Sequence, residues 1–172
     1  MKRASFLLIA VAAVLLADGP VVKTGQTTVY KQGDDGTYQA GIARSYTRTN
    51  GVVKDNATGL EWQDDYSDNG GTIKKDANWE DAKTYCANLT LDDKNDWRLP
   101  SIEELVRITD KARMNPAIDS TFVIVGLAYD YWSSTVTVSD SNAAWFVGFN
   151  DGHVGWHPKY YGLYVRCVRS RR

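Results

Sequence analysis

Two cysteines, Cys86 and Cys167, constrain the fold of this 172-residue chain more than any other feature of its sequence. They lie 81 residues apart and are the only cysteines, so in an oxidising compartment they form the only possible intrachain disulfide. No histidine stands within several residues of either one, which argues against a catalytic thiol. The sequence therefore predicts a structural disulfide, and two free buried thiols are the alternative.

The first residues of the chain indicate export. Lys2 and Arg3 precede an apolar run over residues 6–17, and small or turn-forming residues follow it. This pattern is typical of a secretory signal peptide, and the run is shorter than the ~20 residues that a transmembrane helix needs. We therefore expect residues 1–19 to be cleaved, and the mature protein to be periplasmic, exposed on the cell surface or secreted, without stable membrane insertion. An uncleaved N-terminal anchor is the alternative.

Composition and motif content exclude several functional classes. Hydrophobic residues make up 43% of the chain and charged residues 24%, which is ordinary for a globular domain and rules out wholesale disorder. The net charge of −1 argues against a nucleic-acid binder. The sequence has no Gly-x-Ser-x-Gly elbow, phosphate-binding loop or His-Glu-x-x-His string. We therefore expect a protein that is not an enzyme and that uses no cofactor.

Turn signals predict short strands near both ends of the domain. Asn50-Gly51 is a strong two-residue hairpin signal, and Asp151-Gly152 marks a second hairpin nearer the C-terminus. The predicted strands are Arg44–Thr49, Val52–Asp55, Leu60–Gln63, Tyr131–Thr135, Ala143–Phe149, His153–Trp156 and Leu163–Val168.

Capping residues predict two helices between these groups of strands. Asn78 is suited to cap a helix that runs to Leu89 and carries Cys86 on its apolar face. Ser101 and Glu104 form a capping box at the start of a second helix. The apolar face expected for the second helix consists of Ile102, Leu105, Val106 and Ile108.

The order of these elements predicts the fold class. Strands, then two helices, then strands indicate an α+β fold with a mainly antiparallel sheet, which we place at residues 46–170. Residues 20–45 are polar and rich in Gly, Thr and Gln, so we expect a linker or a loosely held strand there. A disulfide between Cys86 and Cys167 would tie the first helix to the last strand.

Several short strings occur in a fixed order along residues 24–169, and together they resemble one family. They include Asp55–Trp62 (DNATGLEW), Trp79–Ala82 (WEDA), Asp96–Pro100 (DWRLP), Tyr131–Thr135 (YWSST) and Val165–Arg169 (VRCVR). In this order and spacing they resemble the bacterial DUF1566 family, also called the C-terminal domain of the Legionella collagen-like adhesin.

The resemblance implies a C-type-lectin-like fold, with which a helix-to-last-strand disulfide agrees. It also implies an exported or surface binding module, and in the collagen-like adhesin the domain is associated with binding of sulfated polysaccharides. This chain lacks the Gly-X-Y tract that forms the stalk of that adhesin. We therefore expect an extracellular glycan, anionic by this resemblance, or a surface protein as its partner.

The C-terminal part of the chain combines basic and aromatic side chains. No acidic residue follows Asp151, and five basic ones do: Lys159, Arg166, Arg169, Arg171 and Arg172. Cations can meet the anionic groups of a glycan while rings stack on its sugar faces. We expect the ligand face within residues 139–161. The predicted ligand-binding residues are Asp140, Asn142, Asp151, His153, Trp156, His157, Lys159, Tyr160 and Tyr161.

Other conspicuous residues are expected to be structural. Arg98, which follows Trp97, is predicted to pair with Glu104 and hold a loop rather than to clamp a ligand. Five tryptophans fall on predicted apolar faces and are expected in the core: Trp62, Trp79, Trp97, Trp132 and Trp145.

Two patterns resemble metal sites, and we interpret neither as one. The loop from Asp65 to Asp76 has some EF-hand spacing but lacks a preceding helix and the final Glu, so a solvated loop is predicted and a calcium site is the alternative. His153 and His157, if they lie in one strand, are separated by ~13 Å of backbone, which is too far to share a metal.

Overall fold

The computed structural model of the protein describes residues 20–70, 77–123 and 129–170. The expected signal peptide at residues 1–19 lies outside the described residues. The helices are α1 (Asp35–Tyr38), α2 (Trp79–Asn88) and α3 (Ile102–Arg107), with one 3-10 turn at Ser67–Asn69. The strands are β1 (Tyr46–Thr49), β2 (Val52–Asp55), β3 (Leu60–Gln63), β4 (Asp130–Val136), β5 (Ala143–Gly148), β6 (His153–Pro158) and β7 (Val168–Ser170).

The strands form two antiparallel sheets, so the predicted α+β class is confirmed. One sheet has the order β1-β2-β3-β7 and the other has the order β4-β5-β6. In the first sheet β3 pairs with β7, with Trp62 opposite Val168. The N-terminal hairpin is therefore joined to the C-terminal strand.

The hairpin predicted at Asn50-Gly51 is confirmed. Asn50 and Gly51 have φ values of 50° and 73°, and a type I′ turn requires positive φ at both of its central residues. The flanking strands β1 and β2 pair directly across the turn, with Thr49 opposite Val52.

The predicted last strand is wrong in its bounds. Val168–Ser170 forms β7, whereas the expected strand covered Leu163–Val168. Leu163 makes an isolated antiparallel bridge to Ala77, and Tyr164 makes an isolated parallel bridge to Tyr131. This segment crosses from one sheet to the other, so it cannot keep a single strand partner.

Helix α2 confirms both the predicted cap and the predicted disulfide. The side chain of Asn78 accepts a hydrogen bond from the Asp81 N–H at 3.0 Å. Trp79, Ala82 and Cys86 are buried along one face of the helix. Cys86 is bonded to Cys167, so α2 is covalently tied to the segment that leads into β7.

Helix α3 begins with the predicted capping box, but its buried face is narrower than expected. The Ser101 hydroxyl accepts from the Glu104 N–H at 3.2 Å, and the Glu104 carboxylate accepts from the Ser101 N–H at 2.8 Å. Leu105 and Ile108 are buried, whereas Val106 is exposed. A six-residue helix packed against β4 and β5 buries only one stripe, and Val106 lies beside it.

Two buried clusters make up the core. The first surrounds the disulfide and contains Trp79, Trp97 and Trp132, and the second contains Trp62. The expectation for Trp145 was wrong, because this residue is only half-buried on β5, opposite Trp156 of the edge strand.

The segment expected as a linker or loosely held strand, residues 20–45, turns back on itself. Asp34 caps the helical turn α1, with its carboxylate accepting from the Thr37 N–H at 3.0 Å. Val22 forms a bridge with Ile42. The segment also contacts the domain, because the Lys111 N–H donates to the Thr24 carbonyl at 2.8 Å.

A fully buried ion pair lies between the two sheets. Arg166 donates to Asp64 Oδ1 at 3.2 Å and to the Gln63 carbonyl at 2.8 Å. The other carboxylate oxygen of Asp64 accepts from Arg48 Nε at 2.6 Å and from the Val123 N–H at 3.0 Å. The Asp64 carboxylate therefore joins its own segment to three others, those of Arg48, Val123 and Arg166.

Replacing Asp64 by asparagine tests this interaction. Asp64→Asn keeps the shape of the side chain but leaves the buried Arg166 guanidinium without its counter-charge, so we expect a loss of about 3–5 kcal/mol in the free energy of unfolding. Urea denaturation measures this loss. The control is Glu80→Gln, which removes an exposed pair with Lys83 and should cost about 0.5 kcal/mol or less. Equal costs for the two variants would contradict the importance of the buried pair.

Candidate ligand-binding face

The edge strand β6 distributes the predicted ligand residues over two faces. Successive side chains of a strand point to opposite sides of the sheet. The rings of His153 and His157 both contact Phe146 of the neighbouring strand. Trp156 stands opposite Trp145 and therefore lies on the other side. The structure separates Trp156 from the histidines with which the sequence grouped it.

Four aromatic rings form a continuous stack, which we call the ring stack: Phe146, His157, Tyr161 and Tyr160. His157 lies 4.8 Å from Phe146 and 4.7 Å from Tyr161, centroid to centroid, with interplanar angles of 13° in both pairs. Tyr160 continues from Tyr161 at 5.2 Å. Exposure rises from 5% at Phe146 to 79% at Tyr160. The stack therefore runs from the core to the solvent.

Gly155 makes room for the inner end of the ring stack. It is the cross-strand partner of Phe146. A Cβ atom at position 155 would lie 2.6 Å from Phe146 Cζ, which is closer than side chains tolerate. Because this position has no side chain, the Phe146 ring lies over β6 and can stack with His157.

A carboxylate lies beside both histidines. Asp130 Oδ1 is 3.6 Å from His153 Nε2, and Asp130 Oδ2 is 3.8 Å from His157 Nε2. His153 Nδ1 also lies 2.8 Å from Asp151 Oδ1. We call Asp130, Asp151, His153 and His157 the histidine cluster. Both imidazoles therefore lie within 4 Å of one carboxylate, although four residues of strand separate them along β6.

The electrostatics of the two acids in the histidine cluster differ. Partial burial raises the pKa of the Asp130 carboxyl, although the neighbouring imidazoles act in the opposite direction. The His153 N–H and the His153 side chain, which both bond to Asp151, lower the pKa of the Asp151 carboxyl.

Within the described ranges, no group of three or more His, Cys, Asp or Glu side chains is arranged to hold a metal ion.

Two lysines lie over the indole of Trp79, and one of them, Lys159, directly precedes Tyr160 of the ring stack in the chain. The ammonium groups of Lys83 and Lys159 are 3.8 Å and 4.1 Å from the Trp79 ring centre. The backbone of Lys159 is fixed on both sides, because its N–H donates to the Asn142 carbonyl and its carbonyl accepts from the Trp79 N–H. Lys159 therefore has a defined position directly before Tyr160.

The remaining predicted ligand residues lie at opposite ends of β6. Asp140 and Asn142 belong to the β4–β5 loop, where the Asp140 carboxylate accepts from the Asn142 N–H at 2.8 Å. This loop adjoins Lys159 through the Asn142 carbonyl. Asp151 lies in the turn before β6, at the far end of the strand. The structure therefore brings Asn142 near the lysines and Asp151 near the histidines.

The sequence predicts a basic surface formed by five cations of the C-terminal part, and this prediction is wrong for two of them, Arg166 and Arg169. Arg166 is fully buried against Asp64. Arg169 is buried and pairs with Asp96 at 2.6 Å and with Glu61, and the hydrogen bonds that its guanidinium donates to these carboxylates raise its pKa. Arg171 and Arg172 lie outside the described residues. Acids far away in the sequence neutralise Arg166 and Arg169, so a local count of charges overstated the positive surface.

Arg98 and Glu104 form a two-pronged ion pair beside the buried Trp97. The two guanidinium nitrogens of Arg98 lie 2.7 Å and 2.6 Å from the Glu104 oxygens. Partial burial of Glu104 favours its neutral form, but the hydrogen bonds from Arg98 and from the Ser101 N–H outweigh this effect and lower the pKa of the carboxyl. The geometry is that of a loop clamp at the start of α3.

Three residues of this face were missed by the sequence reasoning: Lys83, Asp130 and Phe146. Extending the predicted strand by one residue to Asp130 would have placed this carboxylate on the same side as Trp132. No local signal identifies Lys83 or Phe146, because their roles depend on contacts with distant segments.

The loop considered as an alternative calcium site is only partly described, since residues 71–76 lie outside the described ranges. In its described part, the Asp65 carboxylate accepts a hydrogen bond from the Ser67 N–H at 2.7 Å.

The chain is thus a disulfide-bonded α+β domain with an aromatic stack at the edge of one sheet. The family model of the Lcl C-terminal domain matches residues 51–169, well over half of the sequence, and the chain belongs to this family. The resemblance drawn from the short strings is confirmed, and the family is an adhesin-associated one. None of the curated proteins compared with the chain matches it. Across the described part of the chain, no helix has the length and apolar character needed to cross a bilayer.

Replacing Glu104 by glutamine tests the loop clamp through its pH dependence. Glutamine retains the capping hydrogen bond but removes the charge, so Glu104→Gln should destabilise the domain by about 1 kcal/mol at pH 7. Because the folded-state pKa of Glu104 is lowered, this stabilisation is present above the ordinary carboxyl pKa and disappears as the pH falls through the folded-state pKa.

Denaturant unfolding at pH 7 and at pH 3 measures the difference between wild type and variant. The matched control is Glu103→Gln, which changes the neighbouring exposed carboxylate in the same turn. A cost for Glu104→Gln that does not shrink at pH 3 would show that the ion pair is not its source.

Proposed function

We propose that this protein is an exported, non-enzymatic binding module that recognises an extracellular anionic glycan. The observation that carries the proposal is the ring stack together with Lys159, whose ammonium group is held over Trp79 and which directly precedes Tyr160 in the chain. Membership of an adhesin-associated family supports a binding role, and the Cys86–Cys167 disulfide supports an oxidising, extracytoplasmic location.

The outer rings of the stack supply a surface for sugars. Tyr161 is 45% exposed and Tyr160 is 79% exposed. Rigid aromatic rings bury much apolar area on contact and lose little conformational entropy. Tyr161 is stacked on His157, and His157 is stacked on the buried Phe146. The outer rings are therefore supported from the core. The stack therefore favours a flat, partly apolar ligand such as a pyranose ring.

A lysine supplies the preference for an anion. Lys83 and Lys159 both lie over the Trp79 indole. Lys83 is also paired with Glu80 at 2.9 Å, and Lys159 directly precedes Tyr160 in the chain. A lysine ammonium acts as a point charge that can meet sulfate or carboxylate groups in several orientations. Since Arg166 and Arg169 are occupied by internal acids and Lys83 is paired with Glu80, the proposal assigns the contact with the anion to Lys159.

The fold relationship belongs to the same proposal. A disulfide that ties a helix to the segment before the last strand, together with two antiparallel sheets, supports a C-type-lectin-like fold for residues 46–170. Sequence and family alike give no reason to propose calcium-dependent sugar binding or a catalytic reaction.

A second candidate function uses the other side of β6. Trp156 is 55% exposed, Val154 on the same side is also exposed, and Trp145 is the partner of Trp156 across the sheet. An exposed tryptophan between apolar neighbours is typical of protein-binding surfaces. A role in binding a surface protein or in envelope assembly would therefore depend on Trp156 rather than on the ring stack.

Matched substitutions on the two sides of β6 distinguish these functions. If a sulfated glycan binds the ring stack, Tyr161→Ala should weaken its binding about tenfold or more, because a ring anchor is lost. Trp156→Ala should leave the affinity unchanged. Binding of size-defined heparin oligosaccharides, measured by calorimetry on folded variants, provides the comparison.

The salt dependence identifies the charge contacts. Lys159→Ala should weaken heparin binding and flatten its dependence on ionic strength, since one screened contact is removed. Loss of binding with Trp156→Ala but not with Tyr161→Ala would place the site on the opposite side. Wild-type protein that binds no sulfated glycan at low salt would overturn the proposed function.

A further inference from the structure

His157 connects the ring stack with a charged group. Its imidazole lies between the rings of Phe146 and Tyr161, at an interplanar angle of 13° to each. Its Nε2 atom is also 3.8 Å from Asp130 Oδ2. The imidazole is therefore stacked between two aromatic rings and lies beside a carboxylate.

His153 brings a second imidazole to the same carboxylate. Its Nε2 atom is 3.6 Å from Asp130 Oδ1, and its other ring nitrogen bonds to Asp151. The ring rests on Gly148, where a Cβ atom would lie 2.1 Å from His153 Cε1. The position of this imidazole is therefore fixed by packing as well as by hydrogen bonds.

The groups that face the histidine cluster come from β4, β5, the turn before β6 and the segment after it. β4 contributes Asp130, and the side of β5 that faces the rings contributes Ala144, Phe146 and Gly148, none of which is charged. The turn before β6 contributes Asp151, with the Lys111 ammonium donating to the Gly152 carbonyl. The segment after β6 contributes Lys159 and the phenols of Tyr160 and Tyr161.

The charge of this group changes with the protonation of the imidazoles. With both imidazoles neutral, Asp130 and Asp151 leave two negative charges beside the ring stack. With both protonated, these two charges are cancelled, while Lys83 stays paired with Glu80 at 2.9 Å and the Lys159 ammonium stays over the Trp79 ring. His153 and His157 are the only histidines in the chain, and histidine is the side chain that ordinarily changes charge between pH 5 and 8.

We infer that the histidine cluster makes anionic-glycan binding at the ring stack pH-dependent, with tighter binding under acidic conditions. The inference rests on the proposed function, because it concerns the same face. Protonation removes the repulsion between the cluster and an anionic ligand, and it places a cation inside the stack on which the ligand rests. Partial burial raises the pKa of the Asp130 carboxyl, and the charges of His153, His157 and Asp151 act on the same carboxyl.

The test compares heparin-oligosaccharide binding at pH 5.5 and pH 7.5 at constant ionic strength, using the mature domain with its disulfide intact. Sulfate groups remain ionised over this range, so a change in affinity reports on the protein. We expect binding to be about fivefold tighter at pH 5.5, the effect of two screened charge contacts.

The decisive variant is the double replacement His153→Gln/His157→Phe. Phenylalanine keeps a ring between Phe146 and Tyr161 but cannot be protonated, so the variant should bind the oligosaccharide with equal affinity at both pH values. Proton NMR of the wild type provides a readout without ligand: the ring signals of Tyr161 should shift together with the titration of the His157 Hε1 signal.

The outcomes distinguish failure of the pH dependence from failure of the proposed glycan-binding function. Wild-type binding that is equally tight at both pH values would overturn the pH dependence and leave the glycan function standing. An unchanged pH dependence in the double variant would also overturn it, because the chain has no other histidine. Absence of heparin binding at both pH values would overturn the proposed function and this inference with it.

Discussion

The buried pair between Arg166 and Asp64 is the interaction on which the rest of the structure depends. Arg166 belongs to the segment that crosses from one sheet to the other, and its neighbours alternate between the two cores. Val165 and Cys167 pack in the cluster around the disulfide, whereas Val168 packs in the other. A buried charge requires its partner, so the pairing with Asp64 fixes which side of this segment faces which core, and thereby places Cys167 opposite Cys86.

The pairing of arginines with internal acids limits the positive charge at the surface. Arg166 and Arg169 are held by acids 102 and 108 residues earlier in the chain, which removes two cations from the face that the C-terminal sequence seemed to create. The positive charge near the ring stack is therefore small and localised at Trp79. A face of this kind depends on ring contacts for affinity, and on a few charges for selectivity.

Local signals predicted the elements well, and distant contacts explain where prediction failed. Asn50-Gly51, Asn78 and the capping box at Ser101 act within a few residues, and the structure has each of them as expected. Because side chains alternate along a strand, His157 and Trp156 of β6 point to opposite sides of the sheet. The sequence does not indicate which neighbouring segment each side faces, so the sequence analysis places both residues on one ligand face. The convergence of His153 and His157 on Asp130 depends on strand pairing that no local pattern specifies.

The ring stack on the edge strand β6 is connected to the core of the domain. Phe146 belongs to the buried cluster that surrounds the disulfide, and it is also the innermost ring of the stack. The outer tyrosines are therefore held through His157 by a part of the molecule that the Cys86–Cys167 bond immobilises. Side chains that are already ordered lose less entropy on binding. The disulfide thus acts on the proposed ligand face as well as on the fold, because it keeps the base of the stack in place.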